Sequence, residues 1–236
     1  MRNLALTPKL GGHRVNVNAV YRDSAGKGLA DYPRPSVAVD TAVLTVPPSG
    51  TSLDVLLVRW DDDRWALPGT FLHEGETLAD AVLRSLSDKV GLRGTVPEQL
   101  RVFDDPARDD RGWVLSVAHV DVVPWAAIEP VLATRDGAVE HRPVDGVRGL
   151  TFDHDEIVRL AAALVRASYR DRPDPHRLVA EPFTLRRLRR VHDAVMGGLD
   201  YSADTFRRRM LPQLEEVPGA VSEGEVGKPA QLYRRA

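Results

Sequence analysis

The chain has 236 residues, a hydrophobic fraction of 43% and a formal net charge of −2, which suits one medium-sized domain plus a small one. It contains no cysteine, so disulfides, thiolate catalysis and cysteine-based zinc sites are excluded. No run of about 18 apolar residues predicts a membrane helix, and the charged, glycine-containing N-terminus is unlike a signal peptide. We therefore expect a cytoplasmic globular protein with no membrane partner.

Residues 1–35 are rich in Gly, Asn and Arg and show little helical periodicity, so we interpret them as an N-terminal arm. Two strands are predicted next, over residues 36–46 and 53–60. Apolar residues then recur at every fourth position, which predicts a helix over about residues 78–90 with Thr77 as its N-cap.

Two apolar segments, residues 100–104 and 113–123, predict a hairpin whose long polar loop, residues 105–112, could cover a ligand. Apolar positions repeat with helical spacing over residues 153–168. Strands combined with amphipathic helices favour a layered α/β domain, which we place at residues 36–170.

A proline-bearing connector, residues 171–182, separates this domain from a smaller C-terminal one, residues 183–236. The smaller domain carries 10 basic against 7 acidic residues. One helix is predicted between the cap Thr184 and the Gly197-Gly198 pair, and a second begins at Ser202 and ends before Pro212. Two short strands follow, and two helices, a turn and a hairpin are the parts of a winged helix.

On the second of these helices, Phe206 and Met210 face inward, so Arg208 projects from the opposite side as a candidate groove contact. Flanking arginines and a lysine suit DNA phosphates. The alternative is a solvated basic helix that serves only dimer packing or solubility. The candidate DNA-binding residues are Thr184, Arg187, Thr205, Arg207, Arg208 and Lys228.

The segment over residues 69–92 resembles a Nudix box, a loop and helix whose glutamates hold a divalent cation. The positions that match are Glu76, Arg84, Leu86, Gly91 and Leu92. Thr70 stands in place of the first glycine, and Ser85, Asp88 and Lys89 stand in place of the three clustered glutamates. Helical spacing of three and four is expected to place those three side chains on one face. A hydroxyl, one carboxylate and an ammonium should hold Mg²⁺ poorly, so we expect no catalytic residues and no metal.

The candidate effector-binding residues are Arg34, Arg59, Phe71, Glu76 and Arg84. Arginines are expected to hold phosphates and Phe71 to stack on a base, while Glu76 and Arg84 are expected to pair with each other. Structural alternatives remain open, since Arg34 and Arg59 could pair with Asp40 or Asp61, and Phe71 could belong to the core.

Three C-terminal segments resemble the winged helix of the Nudix-related transcriptional regulators of NAD metabolism, the NrtR family. They are Phe183-Thr184-Leu185, Phe206-Arg207-Arg208 and Gly227-Lys228-Pro229-Ala230-Gln231-Leu232-Tyr233-Arg234. The resemblance implies an α/β (α+β) fold, a Nudix α/β/α sandwich with a mixed sheet, followed by a small winged helix-turn-helix domain. It also implies a homodimeric repressor of NAD biosynthesis or salvage genes that binds a palindromic double-stranded DNA operator. The effector would be ADP-ribose or a related NAD metabolite, with no further cofactor.

Two other functions remain open. The chain could be an active ADP-ribose or nucleotide pyrophosphatase with a displaced metal set formed by Glu74, Glu76 and Asp88. It could also be a sugar-responsive Nudix regulator, which has the same architecture and a different effector.

Overall fold

A computed structural model describes residues 21–221 and 230–236. The chain divides into two compact units, residues 1–35 and 36–236. In the described part of the first unit, a 3-10 turn spans Leu29–Asp31. The carboxylate of Asp23 accepts hydrogen bonds from the backbone amides of Ala25 and Lys27 at 2.8 and 2.9 Å. These local contacts organise a short loop.

A seven-stranded mixed sheet forms the centre of the second unit. The central strands β1 and β6 are parallel, and the other pairs are antiparallel. The strands are β1 Ser36–Thr45, β2 Asp54–Arg59, β3 Trp65–Ala66, β4 Gly69–Phe71, β5 Glu98–Phe103, β6 Val114–Val122 and β7 Val139–Pro143. The main order is β3-β2-β1-β6-β5, with β4 paired to β1 and β7 paired to β2.

Three helices cover the two faces of this sheet: α1 Leu78–Ser85, α2 Trp125–Thr134 and α3 His154–Ser168. Side chains alternate between the faces of a strand, so Val39 and Val43 of β1 pack in the cluster that contains α1 and α2. Ala42 and Leu44 pack in the cluster that contains α3. The expected α/β/α sandwich is confirmed.

The α1 segment begins as predicted, because Thr77 Oγ1 accepts a hydrogen bond from the Asp80 amide at 3.2 Å. The helix then widens into a π-helical turn over Leu86–Val90. That turn changes the angular spacing of the side chains, so the shared face expected for Ser85, Asp88 and Lys89 stays a prediction. Ser85 is buried and Asp88 is exposed, while Lys89 is half-buried.

The C-terminal domain contains α4 Leu185–Met196, α5 Ala203–Met210, β8 Leu214–Val221 and β9 Gln231–Arg235. Thr184 and Ser202 cap the two helices as predicted. Gly197 ends α4 with φ 72°, a left-handed conformation that favours glycine. Phe206 and Met210 are fully buried in the domain core, so the inward face of α5 is also confirmed.

The winged helix packs directly on the sandwich. Ala194 and Val195 of α4 belong to the same apolar cluster as Ala161 and Val165 of α3. In addition, the Arg166 guanidinium donates a hydrogen bond to the Val195 carbonyl at 3.0 Å. The connector contains buried residues too, since Asp174 is 0% exposed. We therefore expect the two domains to move together more than a flexible linker would allow.

Helix α2 and strand β7 had no counterpart in the sequence analysis. Helix α2 is apolar on most of its surface and contains Pro130, so it has neither a clear amphipathic period nor a regular helical composition. Across the described residues, no helix combines the length and the apolar character needed to cross a membrane.

Candidate functional site

A cleft of about 170 Å³ lies where β1, β4, the loop between β5 and β6, and the start of α3 meet. Asp40 of β1 lies at its base and is 7% exposed. Ser116 Oγ donates a hydrogen bond to this carboxylate at 2.6 Å, and Arg108 and His154 approach it at 3.5 and 3.3 Å. Burial alone would raise the pKa of Asp40, but His154, Ser116 and Arg108 outweigh that effect and lower it to about 2. Asp40 therefore stays ionised.

Gly69 allows the carboxylate of Asp40 to take this position. The two residues are paired across β4 and β1, and a Cβ at position 69 would overlap the Asp40 carboxylate and approach the Val39 carbonyl. A side chain would therefore push β4 away from the base of the cleft. Glycine is therefore required at position 69 because the backbone packs closely against Asp40.

The first residues of α3 form one wall of the cleft. His154 Nδ1 accepts a hydrogen bond from the Leu67 amide at 3.0 Å, which leaves the imidazole proton on Nε2, facing Asp40. Asp153, the residue before α3, receives two hydrogen bonds from the Arg108 guanidinium at 2.8 and 2.5 Å. The long loop is thus fastened to the start of α3.

Three aromatic rings surround the guanidinium of Arg111. It lies 5.2, 5.1 and 4.7 Å from the ring centroids of Trp60, Phe71 and Phe152, which is within the range of cation–π attraction. Asp109 accepts hydrogen bonds from the same guanidinium at 2.9 and 2.7 Å. Phe152 adopts a positive φ of 56°, an uncommon conformation for a bulky residue. Flat apolar surfaces and a cation are therefore available together.

Lys89 supplies a second cation to the cleft. Within the described part of the chain, its ammonium group forms no hydrogen bond or ion pair. Burial lowers the pKa of Lys89 and Arg111 acts in the same direction, while Asp40 opposes them. Because it has no fixed partner, Lys89 is the cleft's most available group for an incoming anion.

The donors around Lys89 do not fit the divalent cation that a Nudix box normally holds. Mg²⁺ requires oxygen ligands in near-octahedral geometry, yet an ammonium occupies the cleft and Asp88 does not line it. Over residues 21–221 and 230–236, no group of three or more His, Asp or Glu is arranged to hold a metal.

Of the candidate effector residues, Phe71 lines the cleft. Arg59 does not, contrary to expectation: its guanidinium donates to the carbonyls of Gly137 and Asp62 at 2.5 and 3.0 Å. Side chains alternate along β2 and its end, so the next residue, Trp60, is the one that reaches the cleft. Arg34 is exposed in the separate N-terminal unit, and its role stays a prediction.

Glu76 and Arg84 contact each other as expected, with the Arg84 Nε to Glu76 Oε1 distance at 2.7 Å. Arg84 also donates to Thr70 Oγ1 at 3.1 Å and to the Phe71 carbonyl at 2.9 Å. Arg84 lowers the pKa of Glu76 to about 2. The pair ties the loop to β4, and neither residue lines the cleft.

Sequence reasoning did not place Asp40, Trp60, Arg108, Phe152 or His154 in the site. The polar loop offered one usable signal, because it was expected to cover a ligand and it supplies Arg108, Asp109 and Arg111 to the cleft. The start of α3 offered none, since its residues reach the cleft only through the packing of α3 on the sheet.

On the winged helix, Arg207 and Arg208 are exposed on α5, and Arg187 is exposed on α4. Thr205 is half-buried, and its hydroxyl lies 3.2 Å from Ser202 Oγ. Thr184 is a correction: it is 5% exposed because its side chain caps α4. It therefore lacks the accessible hydroxyl of a DNA contact. Lys228 lies outside the described residues.

Comparisons with known proteins match both halves of the chain. Residues 38–171 match the model of the NUDIX domain, and residues 175–235 match the NrtR DNA-binding winged helix domain. The chain belongs to the Nudix family and carries an NrtR-type winged helix. Both domain matches agree with the resemblance found in the sequence.

Two relatives match nearly the whole length of the chain. The ADPR responsive transcriptional repressor NtrR of Acinetobacter baylyi is 28% identical over 232 residues, which is 94% of this chain and 91% of the relative. The crystal structure of Shewanella oneidensis NrtR complexed with a 27mer DNA matches with a TM-score of 0.70 and 30% identity. That match covers 85% of this chain and 93% of the NrtR chain.

A third relative matches a shorter part of the chain. An ADP-ribose pyrophosphatase of Methanocaldococcus jannaschii is 32% identical over 134 residues, 54% of this chain and 73% of the enzyme. The family therefore includes both regulators and hydrolases.

Proposed function

We propose that the chain is a DNA-binding transcriptional repressor that senses ADP-ribose or a related NAD metabolite through a Nudix domain that does not hydrolyse it. The genes it controls would be those of NAD biosynthesis or salvage. The observation that carries this proposal is that one chain joins an NrtR-type winged helix to a Nudix domain whose cleft is lined by Lys89.

The cleft suits a nucleotide diphosphate. Lys89 and Arg111 would hold the diphosphate through charge-assisted hydrogen bonds, and Trp60, Phe71 and Phe152 would stack on a base. The present volume of about 170 Å³ is below the roughly 300 Å³ at which small-molecule sites begin. We therefore expect binding to move Arg111 away from the aromatic rings and the loop over residues 105–112 outward.

The winged helix suits duplex DNA. Exposed Arg207 and Arg208 lie on the second helix of a helix-turn-helix, the helix that enters a major groove in this motif. A homodimer would present two such helices to a palindromic operator, because a two-fold symmetric protein matches a two-fold symmetric site. The effector would change operator affinity by binding one dimer geometry better than another.

The proposal is tested by fluorescence anisotropy with duplex DNA from upstream of NAD biosynthesis genes in the protein's own genome, with and without ADP-ribose. We expect tight binding that ADP-ribose changes and that a scrambled duplex does not reproduce. Absence of specific binding under both conditions would contradict the regulator. Thermal shifts with ADP-ribose and with pentoses distinguish the sugar-responsive alternative.

The match to an ADP-ribose pyrophosphatase makes hydrolysis the second candidate function. It is tested by measuring AMP release from ADP-ribose in the presence of Mg²⁺. Turnover at ordinary enzyme rates of about 1–1000 per second would contradict the non-hydrolytic cleft. We expect no release above background, because Lys89 repels a divalent cation in a partly desolvated cleft.

A further inference from the structure

Helix α3 connects the cleft to the winged helix. It extends over His154–Ser168, a length of roughly 22 Å at about 1.5 Å per residue. At its start, His154 faces Asp40 and the preceding Asp153 holds Arg108. At its end, the next residue, Tyr169, is fully buried. Each end of one helix therefore contacts a different functional region.

The contact at the far end is a hydrogen-bonded joint centred on Asp174. Tyr169 Oη donates to Asp174 Oδ1 at 2.5 Å, and the backbone amides of Leu178 and Val179 donate to the same carboxylate at 2.9 and 2.7 Å. Burial and the neighbouring Asp174 raise the pKa of Tyr169, so its hydroxyl keeps the proton that it donates. The joint fixes the end of α3 to the connector.

Two residues of the winged helix complete the joint. Arg235 of β9 forms an ion pair with the Asp174 carboxylate and donates to the Val179 carbonyl at 2.8 Å. On α4, His192 Nε2 accepts a hydrogen bond from the Asp174 amide at 3.2 Å. The His192 ring lies 4.9 Å from the ring of Tyr169 and 5.0 Å from that of Phe206, edge to face in both cases. Phe206 belongs to α5, so the joint reaches the helix that carries Arg207 and Arg208.

We infer that α3 transmits effector occupancy from the cleft to the winged helix, and that Tyr169 and Asp174 are the positioning residues that make the transmission possible. This inference rests on the proposed function. Opening of the cleft moves Arg108, which is bonded to Asp153 at the start of α3. A helix with intact backbone hydrogen bonds moves as one body, and close packing makes small shifts collective. The joint then carries that shift to α4 and α5.

The first test uses Tyr169→Phe, which removes one hydroxyl and keeps the ring, together with Asp174→Asn. The matched control is Arg234→Gln, because Arg234 is adjacent to Arg235 but forms an exposed ion pair with Glu215. Operator affinity is measured by anisotropy with and without ADP-ribose, and ADP-ribose affinity is measured separately by calorimetry.

For the wild type and the control, ADP-ribose should change operator affinity by a factor within the usual allosteric range of about 5 to 150. In both joint variants we expect that factor to fall toward 1 while the affinity for ADP-ribose stays at the wild-type value. A purely structural role would instead lower stability and leave the factor unchanged. An unchanged factor, or a parallel loss of ADP-ribose affinity, would overturn the inference.

A second readout separates the inference from the proposed function. If wild-type operator binding does not respond to ADP-ribose, the proposed function fails. Transmission is then measured without ligand, by hydrogen exchange at the Leu178 and Val179 amides in the cleft variant His154→Gln. Altered exchange at these amides, abolished when Tyr169→Phe is added, supports transmission along α3. Wild-type exchange in His154→Gln contradicts it.

Discussion

Two buried aspartates at opposite ends of α3 have different surroundings. Asp40, in the cleft, has one short hydrogen bond, from Ser116 at 2.6 Å, and longer contacts with His154 and Arg108 at 3.3 and 3.5 Å. Asp174, in the joint, accepts three hydrogen bonds between 2.5 and 2.9 Å and also pairs with Arg235. Asp40 therefore has fewer short hydrogen bonds than Asp174.

This difference suits a sensor. The long contacts of Asp40 and a Lys89 that has no hydrogen-bond or ion-pair partner among the described residues leave the cleft able to exchange internal contacts for contacts with a ligand. A saturated network of hydrogen bonds holds its members in one arrangement, so the joint can pass on a movement without absorbing it. The comparison predicts that damage to the joint affects the whole protein, while damage to the cleft affects the ligand response.

The largest expected effect is the loss of stability in Asp174→Ala. The substitution removes the acceptor of the Tyr169 hydroxyl and of two backbone amides, while Arg235 keeps its ion pair with Glu181. Each buried donor left without a partner costs about 1–3 kcal/mol, so we expect the free energy of unfolding to fall by roughly 3–5 kcal/mol. Urea denaturation measures this decrease.

The control for this prediction is Asp88→Ala, because Asp88 is exposed and an exposed substitution should remain within about 0.5 kcal/mol of wild type. If Asp174→Ala lowered stability no more than this control did, the joint would not be the tightly bonded region of the molecule.

Acidification should weaken the joint before the cleft. Burial lowers the pKa of His192 to about 4, against the opposing effects of Asp174 and Asp193. An unfolded histidine has a pKa of about 6.5, so the unfolded state binds the proton first. The contribution of neutral His192 to the free energy of unfolding is therefore complete above about pH 6.5 and is lost as the pH falls toward 4. At about 1.4 kcal/mol per pKa unit, protonation of His192 should lower the free energy of unfolding by up to roughly 3 kcal/mol.

Urea denaturation of wild type and His192→Gln between pH 7.5 and pH 4 measures this loss, with the exposed His73→Gln as the control. Asp40 provides the contrast. Its pKa is lowered to about 2, so its contribution is present above pH 4 or so and is lost only as the pH falls further. An identical pH dependence in wild type and His192→Gln would contradict the prediction that acidification weakens the joint before the cleft.

The difference between the regions also explains what the sequence could predict. Periodic and capping signals are local, so α1, α4 and α5 and their caps at Thr77, Thr184 and Ser202 were predicted correctly. The joint was not predicted, because Asp174 and Arg235 are 61 residues apart along the chain. Nor did local spacing show the π-helical turn over Leu86–Val90 that follows α1.

In the cleft, the residue types were partly predictable and their geometry was not. The sequence predicted Lys89 at the position of a Nudix glutamate, and Lys89 lines the cleft. By contrast, Trp60 lines the cleft and Arg59 does not, because neighbouring residues of an extended segment face opposite sides. Phe152 and His154 came from another part of the chain, through the packing of α3 on the sheet.

A smaller effect is expected for Lys89→Met, which removes the unpaired cation and keeps most of the side-chain volume. A hydrogen bond to a charged group contributes about 2 kcal/mol, so ADP-ribose affinity should fall roughly 30-fold. Calorimetry with and without EDTA is the measurement, and Asp88→Ala is the control. Unchanged affinity in Lys89→Met would contradict the anion site, and loss of wild-type binding in EDTA would contradict metal-independent binding.

The smallest expected effect distinguishes a structural from a DNA-contacting residue in the winged helix. Thr184 caps α4 and is buried, so Thr184→Ala should lower the free energy of unfolding by about 1 kcal/mol and leave the salt dependence of operator binding unchanged. Arg207 is exposed on α5, so Arg207→Gln should leave stability unchanged. If Arg207 neutralises one phosphate, that variant should also reduce the slope of log affinity against log salt by about 1.

Urea denaturation measures the free energy of unfolding, and anisotropy over a range of salt concentrations measures the salt dependence of operator binding. A lower salt slope in Thr184→Ala would return Thr184 to the DNA interface. An unchanged slope in Arg207→Gln would instead place the phosphate contacts on the arginines of α4.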